Sequence, residues 1–158
     1  MIFITLGSQK FQFNRLLRAV DRLTASGDID DEIFAQIGYS DYRPENYRFK
    51  EFLDRQEFSD MTDRADIVIT HGGTGAIIGA LKKKKKVIAV PRRAENKEHV
   101  DDHQRQLVKE FGDLNLIYEC DDCNQLGEAL KKVKNMQFDS YQSNTEAYIA
   151  SIEDFLKQ

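Results

Sequence analysis

The run His71-Gly72-Gly73-Thr74-Gly75 is the part of this sequence best equipped for chemistry. Glycines let a backbone approach a ligand closely. A helix starting here would present unpaired N–H groups and the positive end of its dipole, a natural seat for an anion. Thr74 can add a hydroxyl donor or cap the helix. Three glycines in four positions exceed what a cap needs, so the segment reads as a phosphate loop. It is neither a Walker A loop nor the G-x-G-x-x-G fingerprint. Gly7-Ser8-Gln9, after the first apolar run, reads as a second such loop, although a strand-ending Gly-Ser turn is common by itself.

A third polar segment follows Val90-Pro91-Arg92 and runs Glu98-His99-Val100-Asp101-Asp102-His103-Gln104. His99 and His103 are four apart, as in zinc proteases. Val100 stands where that motif needs its glutamate, so the metal reading fails. Asp101 and Asp102 suit a helix N-terminus, and His103 and Gln104 suit either capping or a hydroxyl-rich ligand. The five lysines from 82 to 86 read as a solvated helix end, with attraction to anionic lipid as the rival. Cys120 and Cys123 lack a second cysteine or histidine pair to complete a zinc site and read as free thiols.

These loops need elements to hold them. Short apolar runs alternate with helical spacing, the signature of βαβ units. Strands are predicted at 2–6, 32–37, 47–52, 67–70, 87–90 and 116–118. Helices are expected to carry Leu16, Leu17, Val20 and Leu23, then Phe58, Met61 and Ala65, then residues up to Leu81. Later helices are expected at about 102–111 and 125–133, with an amphipathic one at 145–156. Residues 38–46 read as a loop. The fold class is therefore α/β: a single Rossmann-like domain over residues 1–158 with a mostly parallel sheet. In such sheets ligands bind beyond the carboxyl ends of the strands, where all three polar segments fall.

Composition limits the alternatives. Hydrophobic residues make up 41% and charged residues 32%, an ordinary globular balance, and the net charge of −4 gives no basic field for nucleic acid. The apolar stretches 76–81 and 87–91 fall far below the roughly 20 residues of a membrane span. Met1 leads straight into a strand, so no secretory leader is expected and the expected location is cytoplasmic.

The sequence resembles the donor-binding half of glycosyltransferase family 28, above all its small capsule and exopolysaccharide subunits. The resemblance rests on Gly7-Ser8, on residues 65–75 (Ala-Asp-Ile-Val-Ile-Thr-His-Gly-Gly-Thr-Gly), and on Val90-Pro91-Arg92 with the Glu98-to-Gln104 segment. It implies a domain equivalent to the C-terminal half of a GT-B enzyme, a UDP-sugar donor, inversion at the anomeric carbon, and neither cofactor nor obligatory metal. It also implies a separate, membrane-attached partner subunit that binds a lipid-linked sugar acceptor. On this resemblance Gly7, Ser8, Gln9 and residues 71–75 surround the diphosphate, and Arg92, Glu98 and His99 belong to the donor site. Asp102, His103 and Gln104 then face the sugar, and Phe52 and Leu53 frame the uracil. His71 is the one candidate for a catalytic role. Relatives often place an acidic residue for the ribose where this sequence has Gly79. The expected function is transfer of a hexose, galactose by analogy with glucuronate and N-acetylglucosamine as alternatives, and the rival is a non-catalytic nucleotide-sugar-binding regulator.

Overall fold

The computed structural model describes residues 1–98 and 103–142. Six strands form one sheet: β1 (Ile2–Thr5), β2 (Ile33–Gln36), β3 (Arg48–Lys50), β4 (Ile67–His71), β5 (Lys86–Val90) and β6 (Tyr118–Glu119). Their order is β3-β2-β1-β4-β5-β6 and every pairing is parallel. The chain winds outward from β1 in one direction and then resumes from β4 in the other. The direction of winding therefore reverses between β1 and β4, where their outgoing loops diverge and leave a crevice.

The helices are α1 (Asn14–Ala25), α2 (Arg55–Arg64), α3 (Thr74–Lys82), α4 (His103–Asp113) and α5 (Leu126–Val133). Alternating side chains of the central strands build two cores. Ile2, Ile4, Ile67 and Ile69 pack with Leu16 and Val20 of α1 and Leu130 of α5. Phe3, Val68, Val87 and Ala89 pack with Ile77 of α3 and Val108 and Phe111 of α4. Both faces are covered, which is why the inner strands carry no exposed residue and read as continuous apolar runs. β3, at the edge, exposes Arg48 and Lys50 instead.

The predicted elements are present with ends shifted by a few residues, and two short 3₁₀ turns, Ala94–Asn96 and Cys123–Gln125, were not foreseen. The helix expected at 145–156 lies outside the described residues. The connection from β2 to β3 is a loop where most parallel crossovers use a helix. One buried carboxylate organises it. Asp21 of α1 accepts from the Tyr42 hydroxyl at 2.6 Å, from the amides of Glu45 and Asn46 at 2.9 Å each, and from the Asn46 side chain. Burial alone would raise the Asp21 pKa, but these donors outweigh it and hold the carboxyl below its ordinary value.

The lysine run ends α3 and turns into β5, with Lys84 in the left-handed region at φ 60°. Lys83 donates to the Ser59 carbonyl and hydroxyl, Lys85 to the Asp63 carbonyl and Lys86 to the Lys134 carbonyl. Those three amines serve the fold locally. Cys120 and Cys123 are free and buried, and burial pushes their thiols up to about 12 and about 11. Among the described residues no helix is long and apolar enough to cross a membrane, and no group of three or more His, Cys, Asp or Glu could hold a metal ion.

Candidate functional site

A cavity of about 430 Å³ opens at the carboxyl ends of the strands, over the crevice between β1 and β4. Three separate loops meet there with residues of α2, α3 and α4. β1 delivers Gly7, Ser8 and Gln9; β4 delivers His71, Gly73 and Gly75; the segment after β3 delivers Phe52 and Leu53; α4 delivers Gln104. The sheet order brings together residues up to 99 positions apart in sequence, counting from Thr5 to Gln104.

His71 stands at the centre of the floor. It ends β4, is 6% exposed, and its ring lies between the two glycine loops. A Cβ added at Gly7 would come within 2.6 Å of His71 Nε2, and one added at Gly73 would overlap the ring at Cε1. The two glycines are thus required by the imidazole itself. Gly7 also has φ +73°, a conformation that favours glycine.

Gly73 is the N-cap of α3, and the cap makes no side-chain hydrogen bond; the first turn holds no acidic residue. The positive end of α3 therefore points toward the cavity without an internal counter-charge. Gly75 and Ala76, in that first turn, line the cavity. Thr74 is the first helical residue and not the cap, and it does not line the cavity. Gly72 serves packing: a Cβ there would stand 2.9 Å from both Gln104 Cβ and Val108 Cγ2 of α4.

The polar wall opposite α3 is Gln104, 8% exposed, whose Oε1 is buried and accepts no hydrogen bond. A buried acceptor without a donor costs stability, and such a group beside a cavity suits a ligand hydroxyl. At the mouth, Phe52 is 44% exposed and packs edge-on against Tyr39, with ring centroids 5.2 Å apart. Gly79 lies on the exposed side of α3 with open space around it.

Two residues that the resemblance assigns to the donor site do not line this cavity. Arg92 does not face the cavity. It is 1% exposed, its Nη2 donates to the carbonyls of Leu6 at 2.8 Å and Phe11 at 3.2 Å, and its guanidinium stacks over Phe13. Burial lowers its pKa to about 10, so it still carries charge at neutral pH. Glu98 is also 1% exposed and turned inward. It accepts from Arg15 at 3.1 Å through both oxygens and from the Arg93 amide at 2.9 Å. Both residues brace the loops behind the cavity: Arg92 fixes the segment after β1, and Glu98 fixes the segment leading toward α4. His99 and Asp102 lie outside the described residues, as does the side chain of His103.

Four lining residues escaped the sequence reading: Thr5, Gln36, Phe58 and Ala76. Thr5 and Gln36 carried a usable signal, since each is a polar residue closing an otherwise apolar strand.

Comparison with known proteins agrees with this fold. The sequence model of the glycosyltransferase family 28 C-terminal domain matches residues 1–158. The UDP-N-acetylglucosamine transferase subunit ALG13 of Candida glabrata is 35% identical over 71 residues, 44% of this chain and 34% of that protein. The ALG13 subunit of Saccharomyces cerevisiae is 34% identical over 58 residues, 37% of this chain and 27% of that protein. The matched stretches thus span about a third of these relatives' lengths. The NMR solution structure of ALG13 superposes with a TM-score of 0.62 at 17% identity, covering 94% of each chain. The glycotransferase of kitacinnamycin gives 0.62 at 15% identity, covering 96% of this chain but 37% of that one. MurG of Acinetobacter baumannii gives 0.56 at 19% identity, with 84% and 41% covered. At these identities the structures speak for a shared fold, and the family match extends over the whole sequence: the chain belongs to the glycosyltransferase family 28 C-terminal domain family.

Proposed function

We propose that this domain binds a UDP-sugar in the cavity over β1 and β4 and acts as the donor-binding subunit of an inverting glycosyltransferase. The observation that carries the reading is the meeting of two glycine loops, an uncapped helix N-terminus and an unsatisfied Gln104 acceptor around one cavity. The diphosphate belongs between the Gly7 loop and the start of α3. There backbone donors and the helix dipole stabilise the negative charge that grows on the leaving UDP as the glycosidic bond to it breaks. Gln104 belongs at the sugar hydroxyls, and Phe52 with Leu53 at the uracil.

The acceptor side is supplied by a second protein. The two yeast relatives are named as transferase subunits, which supports a heteromeric enzyme. We take the partner to be membrane-attached and the acceptor to be a lipid-linked sugar, with this chain at the cytoplasmic face through that partner. Orienting an acceptor against the donor carbon can account for about 7–11 kcal/mol of a barrier, and a lone donor domain forgoes it. A UDP-hexose is the proposed donor, in capsule or exopolysaccharide synthesis. Galactose is the candidate from the sequence, and the relatives' names add N-acetylglucosamine.

The test has two stages. UDP and its sugars should raise the melting temperature, by an amount equivalent to about 2.7 kcal/mol at a hundredfold excess over Kd. Transfer to a lipid-linked acceptor should then require co-expression with the partner, across UDP-galactose, UDP-N-acetylglucosamine and UDP-glucuronate. Full turnover by this chain alone would overturn the subunit reading, and no stabilisation by any UDP compound would overturn the donor site.

A further inference from the structure

Gln36 closes β2 and is 5% exposed, yet its carboxamide is bonded at both ends. Its Oε1 accepts from the Thr5 hydroxyl at 2.8 Å. Its Nε2 donates to the carbonyl of Gly7 at 2.9 Å and to the carbonyl of Glu51 at 3.2 Å. Gly7 opens the glycine loop after β1, and Glu51 immediately precedes Phe52 and Leu53, which line the same cavity. One side chain therefore ties the loop assigned to the diphosphate to the segment assigned to the base.

The backbone beside it reinforces the link. The Gly38 amide donates to the same Glu51 carbonyl at 2.8 Å. Gly38 has φ +60°, and a Cβ there would stand 2.9 Å from the Gly7 carbonyl oxygen. The end of β2 is thus a narrow bridge with the Gly7 loop on one side and the Glu51–Leu53 segment on the other.

We infer that Gln36 is a positioning residue that sets the distance between the two ends of the donor site, so that a ligand spanning both is recognised as one unit. The inference rests on the proposed donor site. Gln36 acts through the two carbonyls it holds. Without its amide the loops are free to settle independently, and a ligand that must touch both pays for realigning them. A ligand that touches only one does not.

The test is an NMR titration of the wild type and Gln36→Met with UDP, uridine and inorganic diphosphate. Methionine keeps the length of the side chain and removes both donors. UDP affinity should fall about tenfold, while uridine and diphosphate each lose less than about threefold. In the ligand-free variant the amide signals of Gly7, Ser8 and Glu51–Leu53 should shift together. Should Gln36→Met fold too poorly to titrate, Gln36→Asn takes its place, because it keeps a neutral carboxamide while drawing it one methylene back from both carbonyls. Equal losses for all three ligands, or unchanged UDP affinity, would overturn the inference while leaving the donor site standing. A wild type that binds no UDP would overturn both.

Discussion

The wedging of His71 between Gly7 and Gly73 has an energetic cost that substitution can expose. Gly7→Ala meets two penalties. At φ +73° an alanine sits in the left-handed region, at about 1–2 kcal/mol. Its Cβ would also stand 2.6 Å from Nε2 and 3.0 Å from Cε1 of His71, an overlap of the kind that costs about 1–3 kcal/mol in a packed core. Gly73 also lies close against the ring, which limits the room it has to shift. The sum is about 2–5 kcal/mol, and each kcal/mol lowers Tm by about 2–4 °C in a domain of this size. His71→Ala separates the two terms. With the ring gone, Gly7→Ala keeps its backbone penalty and loses its steric one. Urea unfolding of the four proteins in the double-mutant cycle should therefore give a coupling of about 1–3 kcal/mol. Additivity to within about 0.5 kcal/mol would refute the placement of the imidazole.

Three other outcomes follow from single contacts. Gln104→Ala should weaken UDP-sugar binding about five- to tenfold more than UDP binding, since its Oε1 is a buried acceptor without a donor and the proposed site gives it a sugar hydroxyl; isothermal titration with both ligands decides it. Glu98→Ala should cost about 3–5 kcal/mol in urea unfolding, because it leaves Arg15 part-buried without its bidentate partner and frees the Arg93 amide. Asp21 has its folded pKa held below the ordinary aspartate value, so its contribution is complete above about pH 4 and disappears as pH falls through the folded value. Asp21→Asn should lower Tm at neutral pH and flatten the Tm profile below about pH 4, and an acid limb as steep as the wild type's would remove Asp21 from the account.

The elements were legible in the sequence because both signals that encode them are local. β4 is an uncharged, β-branched run, and α1 repeats its leucines at helical spacing. The loops bearing the site were legible for the same reason, being glycine-rich or polar where a strand ends. Side-chain direction was not legible. Arg92 and Glu98 stand in the right segments and carry the right chemistry for a phosphate or a hydroxyl, but both point inward, to the Leu6 and Phe11 carbonyls and to Arg15. Nothing within a few residues of either distinguishes a ligand contact from a brace; the deciding partners lie 81 or more positions away. The β2–β3 loop was legible as a loop but not as an ordered one, since its organiser, Asp21, belongs to α1.

The glycines show how one segment can carry two different physical reasons. From the sequence, Gly72 and Gly73 were room for a phosphate. In the fold, Gly72 is room for α4, and Gly7 and Gly73 are room for His71. The two accounts meet at the imidazole. Because both glycine loops close onto one ring, the ring fixes their separation, and any ligand held by both must match a gap that His71 sets. Gln36 performs the same task on the other side of the Gly7 loop, through a carbonyl instead of a van der Waals contact. The Gly7 loop is therefore positioned from two directions by side chains at the ends of β4 and β2, with Arg92 from β5's exit holding the preceding Leu6 carbonyl. A loop held in advance at three points spends little binding energy on ordering itself, which is the condition a site needs to stabilise charge as it develops.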